Sequence, residues 1–268
     1  MIDFKAITQN SKLYNFHSHT QFCDGHAPMA EFAQKAAEYG FTDYGFSPHS
    51  PVPIESPCNM KKADVDTYFA EFNRLKAKYA GRVNLYVSME IDYLGDFWGP
   101  SNEYFDTIGL DYRIGSVHFV PCGDQMVDTD GRFESFKVKM ATFFDNDIVS
   151  VVNSFYDQTL KMIDAGGFDI IGHFDKIGLN ASYFAPGIEN EPWYVSRVDK
   201  VMEAIKEKGL IAEINTKSLF QHHRLFPHER YFKKLKYMGI PIIFNSDAHY
   251  PDLINAGRNE AMKIYNNL

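Results

Sequence analysis

Seven short apolar runs, at residues 13–18, 41–47, 83–89, 113–119, 168–172, 210–214 and 240–244, punctuate this chain, and helical spacing fills most of the intervals between them. Alternation of that kind builds a parallel sheet with helices packed outside it. The residue type at the run ends narrows the choice of sheet. His17, His49, Glu90, His118, His173 and Asp247 each stand at or just beyond the end of a different run, so six of the seven runs finish in a group able to ligate a metal. Neighbouring strands lie ~4.8 Å apart, and an open sheet would scatter the outermost of these groups over tens of ångströms. Only a closed ring brings all of the strand ends to one mouth, so the expected architecture is a TIM-like α/β barrel. Helices are expected over 30–39, 65–79, 133–165, 194–208, 231–238 and 253–268, with an exposed Gly- and Asp-rich loop over 122–132 and another loop, carrying Pro186, Gly187 and Pro192, after His173.

The first run opens into the densest group of donors. His17 and His19 are two apart, so on a strand their imidazoles face the same side, and Asp24 follows in a turn with Gly25. With His49, Glu90, His118, His173, Asp247 and His249 they make nine nitrogen and oxygen donors without a thiolate. Any one of these histidines, taken alone, is better read as a hydrogen-bonded structural residue. Their convergence on strand ends, in a chain with ten histidines, is what argues for ligation. Such a set suits zinc, manganese or iron rather than calcium, which prefers oxygen alone. Nine ligands suffice for two or three divalent transition metals if one carboxylate bridges, and Glu90 is the expected bridge.

A barrel of this kind accommodates all 268 residues, so one domain over 1–268 is expected. The net charge of -8 argues against long nucleic acid as a partner, because a duplex binder carries a basic face. Cys23, Cys58 and Cys122 form no C-x-x-C pair, which argues against a disulfide framework and fits a reducing cytoplasm. Residues 1–5 lack a signal-peptide pattern and no run approaches the ~20 apolar residues of a spanning helix, so no membrane association is expected.

The segments His-Ser-His-Thr-Gln-Phe-Cys-Asp-Gly-His-Ala (17–27), Gly-Phe-Ser-Pro-His-Ser-Pro (45–51), Glu-Ile-Asp (90–92), Gly-Ser-Val-His (115–118), Ile-Gly-His (171–173) and Asn-Ser-Asp-Ala-His (245–249) together resemble the polymerase and histidinol phosphatase (PHP) superfamily, and within it the histidinol-phosphatase type. The resemblance spans 14–250. It implies a distorted (β/α)7 barrel, a trinuclear metal site and hydrolysis of L-histidinol phosphate in histidine biosynthesis. It further implies that His17, His19, Glu90 and Asp247 hold one metal, that Glu90, His118 and His173 hold a second, and that Asp24, His49 and His249 hold a third. Asp24 stands where some relatives have histidine. Pro48 replaces an acidic residue frequent before the second-motif histidine, so a supporting contact to His49 is expected to be missing.

Clustered cations of this kind bind the oxygens of a phosphate monoester and lower the pKa of a shared water toward ~7, so that hydroxide attacks phosphorus in line with the leaving alcohol. A protein cation would help to stabilise charge on the phosphoryl oxygens. Lys176, Arg197, Lys217 and Arg224 are the candidates, with Arg197 and Lys217 preferred. Asp247 or His249 is expected to supply the proton of the leaving alkoxide, and His222, His223 and His228 to lie in a loop capping the pocket. For the ammonium and imidazole of histidinol, Asp92, Glu213, Tyr93, Phe97 and Trp98 are available, although Glu213 reads equally well as a buried structural carboxylate. Two other activities compete: a phosphoesterase acting on nucleotides, oligonucleotides or phosphotyrosine, and a non-catalytic metal-binding regulatory module. The complete donor set argues against the second.

Overall fold

The computed structural model describes residues 2–268. Seven parallel strand positions run in chain order around the molecule. The first is β1 (Tyr14–Asn15) and the second β2 (Asp43–Phe46). The third is interrupted: β3 (Asn84–Val87) pairs with β2, and after Ser88 and Met89 the same segment continues as β4 (Glu90–Asp92), which pairs with β5 (Ile114–Ser116). A hairpin of β6 (Phe119–Cys122) and β7 (Gln125–Asp128) follows, then β8 (Ile170–Ile171), β9 (Ile211–Asn215) and β10 (Ile242–Asn245) complete the order β4-β5-β8-β9-β10. The two parallel sheets meet at a bridge between His49 and Glu90, where the Ser50 amide donates to Glu90 O at 2.8 Å and the Glu90 amide to Pro48 O at 3.0 Å.

The ring is closed between its first and last strands mostly by side chains. Asn245 Oδ1 accepts the Phe16 amide at 2.9 Å and Asn15 Oδ1 accepts the Ser246 amide at 2.8 Å. Further along, the His19 amide donates to Ala248 O at 2.9 Å beside a bridge between Ser18 and Ala248. These strands have splayed apart, and this is the distortion of the barrel.

The helices are α1 (Phe4–Asn10), α2 (Met29–Glu38), α3 (Val65–Lys78), α4 (Tyr104–Thr107), α5 (Phe133–Phe143), α6 (Ile148–Ala165), α7 (Ile177–Phe184), α8 (Pro192–Lys208), α9 (Leu219–His222), α10 (Phe232–Met238) and α11 (Arg258–Asn266). In α3 the buried Val65, Tyr68, Phe72 and Leu75 recur at helical spacing and face the sheet. Proline at the first position and Gly209 in the left-handed region, φ 67°, start and stop α8. Gly45 lies in a strand for want of room, since a Cβ there would collide with the Tyr112 hydroxyl, which donates to Phe16 O.

Arg258 in α11 is fully buried across the splayed seam. Its Nε donates to Phe244 O at 2.9 Å and its Nη2 to Lys12 O at 3.1 Å, joining the two sides, while Nη1 donates to Asn255 Oδ1 at 2.7 Å. The guanidinium lies 4.7 Å from the centre of the Tyr14 ring. Burial lowers its pKa to about 10.

Three expectations need correction. The span 133–165 is two helices, because Asp145 and Asn146 take left-handed backbone, φ 49° and 60°, and Asp147 caps α6 by accepting the Ser150 amide. The loop expected over 122–132 is half of a hairpin turning at Gly123 and Asp124. The loop expected after His173 contains α7, and α1, with Asp3 as its cap, was not expected at all.

Candidate metal centre

Strand ends of the closed ring bring all nine expected donors into one cluster. The Glu90 carboxylate is its hub: Oε2 lies 3.2 Å from His17 Nε2, 3.5 Å from His19 Nε2 and 3.0 Å from His49 Nδ1, and Oε1 lies 2.8 Å from His173 Nε2 and 3.6 Å from His118 Nε2. Asp247 Oδ1 lies 3.0 Å from His19 Nε2, and Asp24 Oδ1 lies 3.3 Å from His249 Nε2 and 3.8 Å from His49 Nε2. Four overlapping sets have ligand atoms mutually within 4.8 Å: His19, Asp24, His49 and His249; His17, His173 and Asp247; His17, His19 and Glu90; and His49, Glu90 and His118. The first is the expected third-metal set with His19 added. His173 falls in a set with His17 and Asp247 as well as lying against Glu90, so the three expected spheres interpenetrate.

The chemistry of the cluster fits divalent metals. Seven of its atoms, His17 Nε2, His19 Nε2, Asp24 Oδ1, His49 Nδ1, Glu90 Oε2, His118 Nε2 and Asp247 Oδ1, are buried without a hydrogen-bond partner. Unmet buried polar atoms are costly, and so many converging on one place mark donors directed at cations. Burial alone would raise the carboxyl pKa of Glu90, but His17, His49 and His118 override it and hold it well below the usual range. Asp247 behaves likewise, with Lys217 and His17 overriding burial. Asp247 also sits in the left-handed region, φ 49°, uncommon for a residue with a side chain and recurrent at functional sites.

Two further carboxylates hold histidines of the candidate donor set from behind. Glu213 Oε1 lies 2.7 Å from His17 Nδ1, and its Oε2 accepts the His173 amide at 3.0 Å and Asn215 Nδ2 at 3.0 Å. Asp92 Oδ1 lies 2.6 Å from His118 Nδ1, and Asn59 Nδ2 donates to its Oδ2 at 3.0 Å. A carboxylate on Nδ1 fixes the tautomer that presents the Nε2 lone pair to a metal. Neither residue is the accessible wall for an ammonium that the sequence allowed, since Asp92 is 1% exposed and Glu213 0%. Glu213→Gln is expected to weaken metal binding about 10- to 100-fold, read by competitive titration with a chelating dye; unchanged affinity would remove its orienting role.

The four candidate cations separate. Lys217 Nζ lies 3.2 Å from His249 Nε2 and 3.6 Å from Asp247 Oδ1, at the edge of the cluster. Lys176 Nζ pairs with Asp130 Oδ2 at 2.9 Å; burial opposes its charge, but Asp130, Asp247 and Glu90 outweigh burial and raise its pKa. Arg197, a preferred candidate, is instead bound in the outer layer between α8 and α6, donating to Asn153 Oδ1 and Asp157 Oδ1 at 2.7 Å each. Arg224 is committed to Asp175 Oδ2 at 3.0 Å and to Glu189 at 2.8 and 2.9 Å. Helical spacing points Arg197 away from the mouth, and buried carboxylates take both terminal nitrogens of Arg224. His26 stacks on Tyr250 at 4.4 Å outside the cluster; in the segment expected as a loop, His222 ends the short helix α9, His223 follows it in the left-handed region, φ 51°, and His228 caps the turn at 229–231 by accepting the Arg230 amide.

A barrel with such a mouth is the frame of the PHP domain family. The chain belongs to that family, whose model matches residues 15–217; Asp247 and His249 lie beyond the matched segment. It is 25% identical over 253 residues to a histidinol-phosphatase of Bacillus subtilis, covering 87% of this chain and 92% of that protein. Among solved structures it resembles a putative histidinol phosphatase from Listeria monocytogenes, with a TM-score of 0.81, 21% identity and coverage of 92% of this chain and 99% of that one. It also resembles the histidinol phosphate phosphatase of Lactococcus lactis solved with zinc, L-histidinol and phosphate, with a TM-score of 0.73, 18% identity and coverage of 96% and 93%. The distorted TIM-like barrel is thus shared with both structures.

Proposed function

We propose that this chain is a metal-dependent phosphoric monoester hydrolase that converts L-histidinol phosphate to L-histidinol and phosphate in histidine biosynthesis. The observation that carries the reading is the convergence of unpartnered donor atoms beside two lysines at the mouth of the barrel, in a chain whose relatives include named histidinol-phosphatases. Two or three zinc, manganese or iron ions supply, when bound, Lewis acidity toward the phosphoryl oxygens and an activated water. His17, His19, Asp24, His49, Glu90, His118, His173, Asp247 and His249 hold them. Asp92 and Glu213 keep His118 and His17 in register, and Lys176 and Lys217 bind the phosphate dianion. Asp247 is held ionised, so it carries no proton for the leaving oxygen at neutral pH; His249, at the rim, is the member placed to relay one from water. The reading takes residues 1–268 as a single barrel domain acting on a small phosphate monoester in the cytoplasm. It calls for no membrane or long nucleic acid, and no helix among the described residues is long and apolar enough to cross a membrane.

The test is to offer the metal-loaded protein histidinol phosphate, a nucleoside monophosphate, bis(p-nitrophenyl) phosphate and phosphotyrosine, with and without chelator. Chelator-sensitive turnover is expected, fastest on histidinol phosphate. A comparable rate on the diester would replace the reading by a phosphodiesterase, and no chelator-sensitive turnover of any of them by a non-catalytic metal-binding module. Within the same assay, Lys217→Ala is expected to raise KM about tenfold, the loss of one charge-assisted contact at a partly exposed site. Arg197→Ala serves as the unaffected control.

A further inference from the structure

With Asp92 and Glu213 enclosed behind ligand histidines, the group that would receive a positively charged leaving alcohol has to be found elsewhere at the mouth. The β6–β7 hairpin supplies one. Its returning strand places Thr129 against a ligand, the amide donating to His118 O at 2.8 Å and Oγ1 to the same oxygen at 3.1 Å. The next residue is Asp130. Its amide donates to Asp128 Oδ1 at 2.8 Å, and buried Asn180 donates to Thr129 O and Gly131 O at 3.3 Å each, so the turn is fixed on both sides. Burial would raise the Asp130 carboxyl pKa, but Lys176, His118 and Lys217 override it and keep the group ionised. One oxygen, Oδ2, is held by Lys176; Oδ1 accepts no hydrogen bond among the described residues, and the side chain is 34% exposed.

We propose that Asp130 determines specificity by receiving the ammonium group of the substrate alcohol through Oδ1 while Lys176, on Oδ2, faces the phosphate. The proposal rests on the histidinol-phosphatase reading. Its geometry follows from the substrate: in histidinol phosphate the amine sits on the carbon next to the one bearing the ester oxygen, so an ammonium receptor has to lie directly beside the phosphate cations. Asp130 and Lys176 are such a neighbouring pair. Other acidic side chains of the same hairpin do not qualify: Asp128 is paired with Lys139 Nζ at 2.6 Å, and Asp124 stands at the far turn.

The test removes each partner separately. Metal-loaded wild type and Asp130→Asn are assayed on L-histidinol phosphate, on its N-acetyl analogue, which lacks the ammonium charge, and on p-nitrophenyl phosphate. For wild type, acetylation is expected to lower kcat/KM about 10- to 100-fold, as befits a hydrogen bond between charged groups. In Asp130→Asn that ratio collapses toward one, with histidinol phosphate turnover falling more than p-nitrophenyl phosphate turnover, and Asp130→Glu restores part of the discrimination. Wild type indifferent to acetylation overturns the proposal without any variant. An equal loss on all three esters in Asp130→Asn also overturns it, leaving Asp130 as a positioning residue for Lys176. Wild type turning over p-nitrophenyl phosphate but not histidinol phosphate would instead sink the histidinol-phosphatase reading, and the proposal with it.

Discussion

Glu90→Gln is expected to lower phosphatase turnover by at least about a thousandfold and to leave the chain with fewer bound metal ions. Lewis-acid stabilisation is worth several kcal/mol, and ~1.4 kcal/mol is a factor of ten in rate. Among the described residues, Glu90 is the one carboxylate whose two oxygens together lie within 3.6 Å of nitrogens from five histidines. The amide replaces a delocalised anion by one neutral acceptor and one donor, and the donor would point into histidine nitrogens whose lone pairs are meant for cations. Initial rates on a monoester, with metal content by elemental mass spectrometry on the same samples, check this. Full occupancy together with more than a tenth of wild-type turnover would show that Glu90 is not a shared ligand.

Arg258→Ala is expected to be the most destabilising single substitution outside the mouth, costing about 3–5 kcal/mol, as large truncations of buried side chains do. In a domain of this size that shifts Tm by roughly 10 °C. The residue is fully enclosed, so the deletion leaves a void, and it also strands Phe244 O and Lys12 O, two acceptors on opposite sides of the seam. Lysine does not rescue it, because a single ammonium cannot reproduce a planar fork serving three acceptors while lying over Tyr14. Thermal melts of the two variants, in chelator and in metal, are the measurement. A shift below about 2 °C would mean that the splayed strands are held by their own side chains.

The candidate donors were legible because a strand end is written in one dimension. An apolar run, a break and a histidine or carboxylate fall within a few residues, and ring closure does the rest. Groups that act through another residue left fainter traces. Asp92 is two residues from Glu90 on one strand and so shares its face, a signal that was available; Glu213 stood out only as an acid within an apolar run. Asp130 was lost when 122–132 was read as loop, although Gly123-Asp124 between two short strands is a two-residue hairpin turn. Arg197 was misplaced for a different reason. Its sequence position near a strand end says nothing about direction, and the buried face of α8, with Tyr194, Val198 and Val201, decides where its neighbours point.

The splayed seam bears on more than architecture. Its two lips carry His17 and His19 on one side and Asp247 and His249 on the other, so groups from the beginning and the end of the chain meet head-on across the gap. Where other neighbouring strands are tied along their length by peptide hydrogen bonds, these meet through peptides only beyond their ends, at His19 and Ala248, and are otherwise tied by their side chains. On the proposed reading, an ion shared between them would be a fastener as much as a reagent, joining the first and last strands through the atoms proposed to do the chemistry.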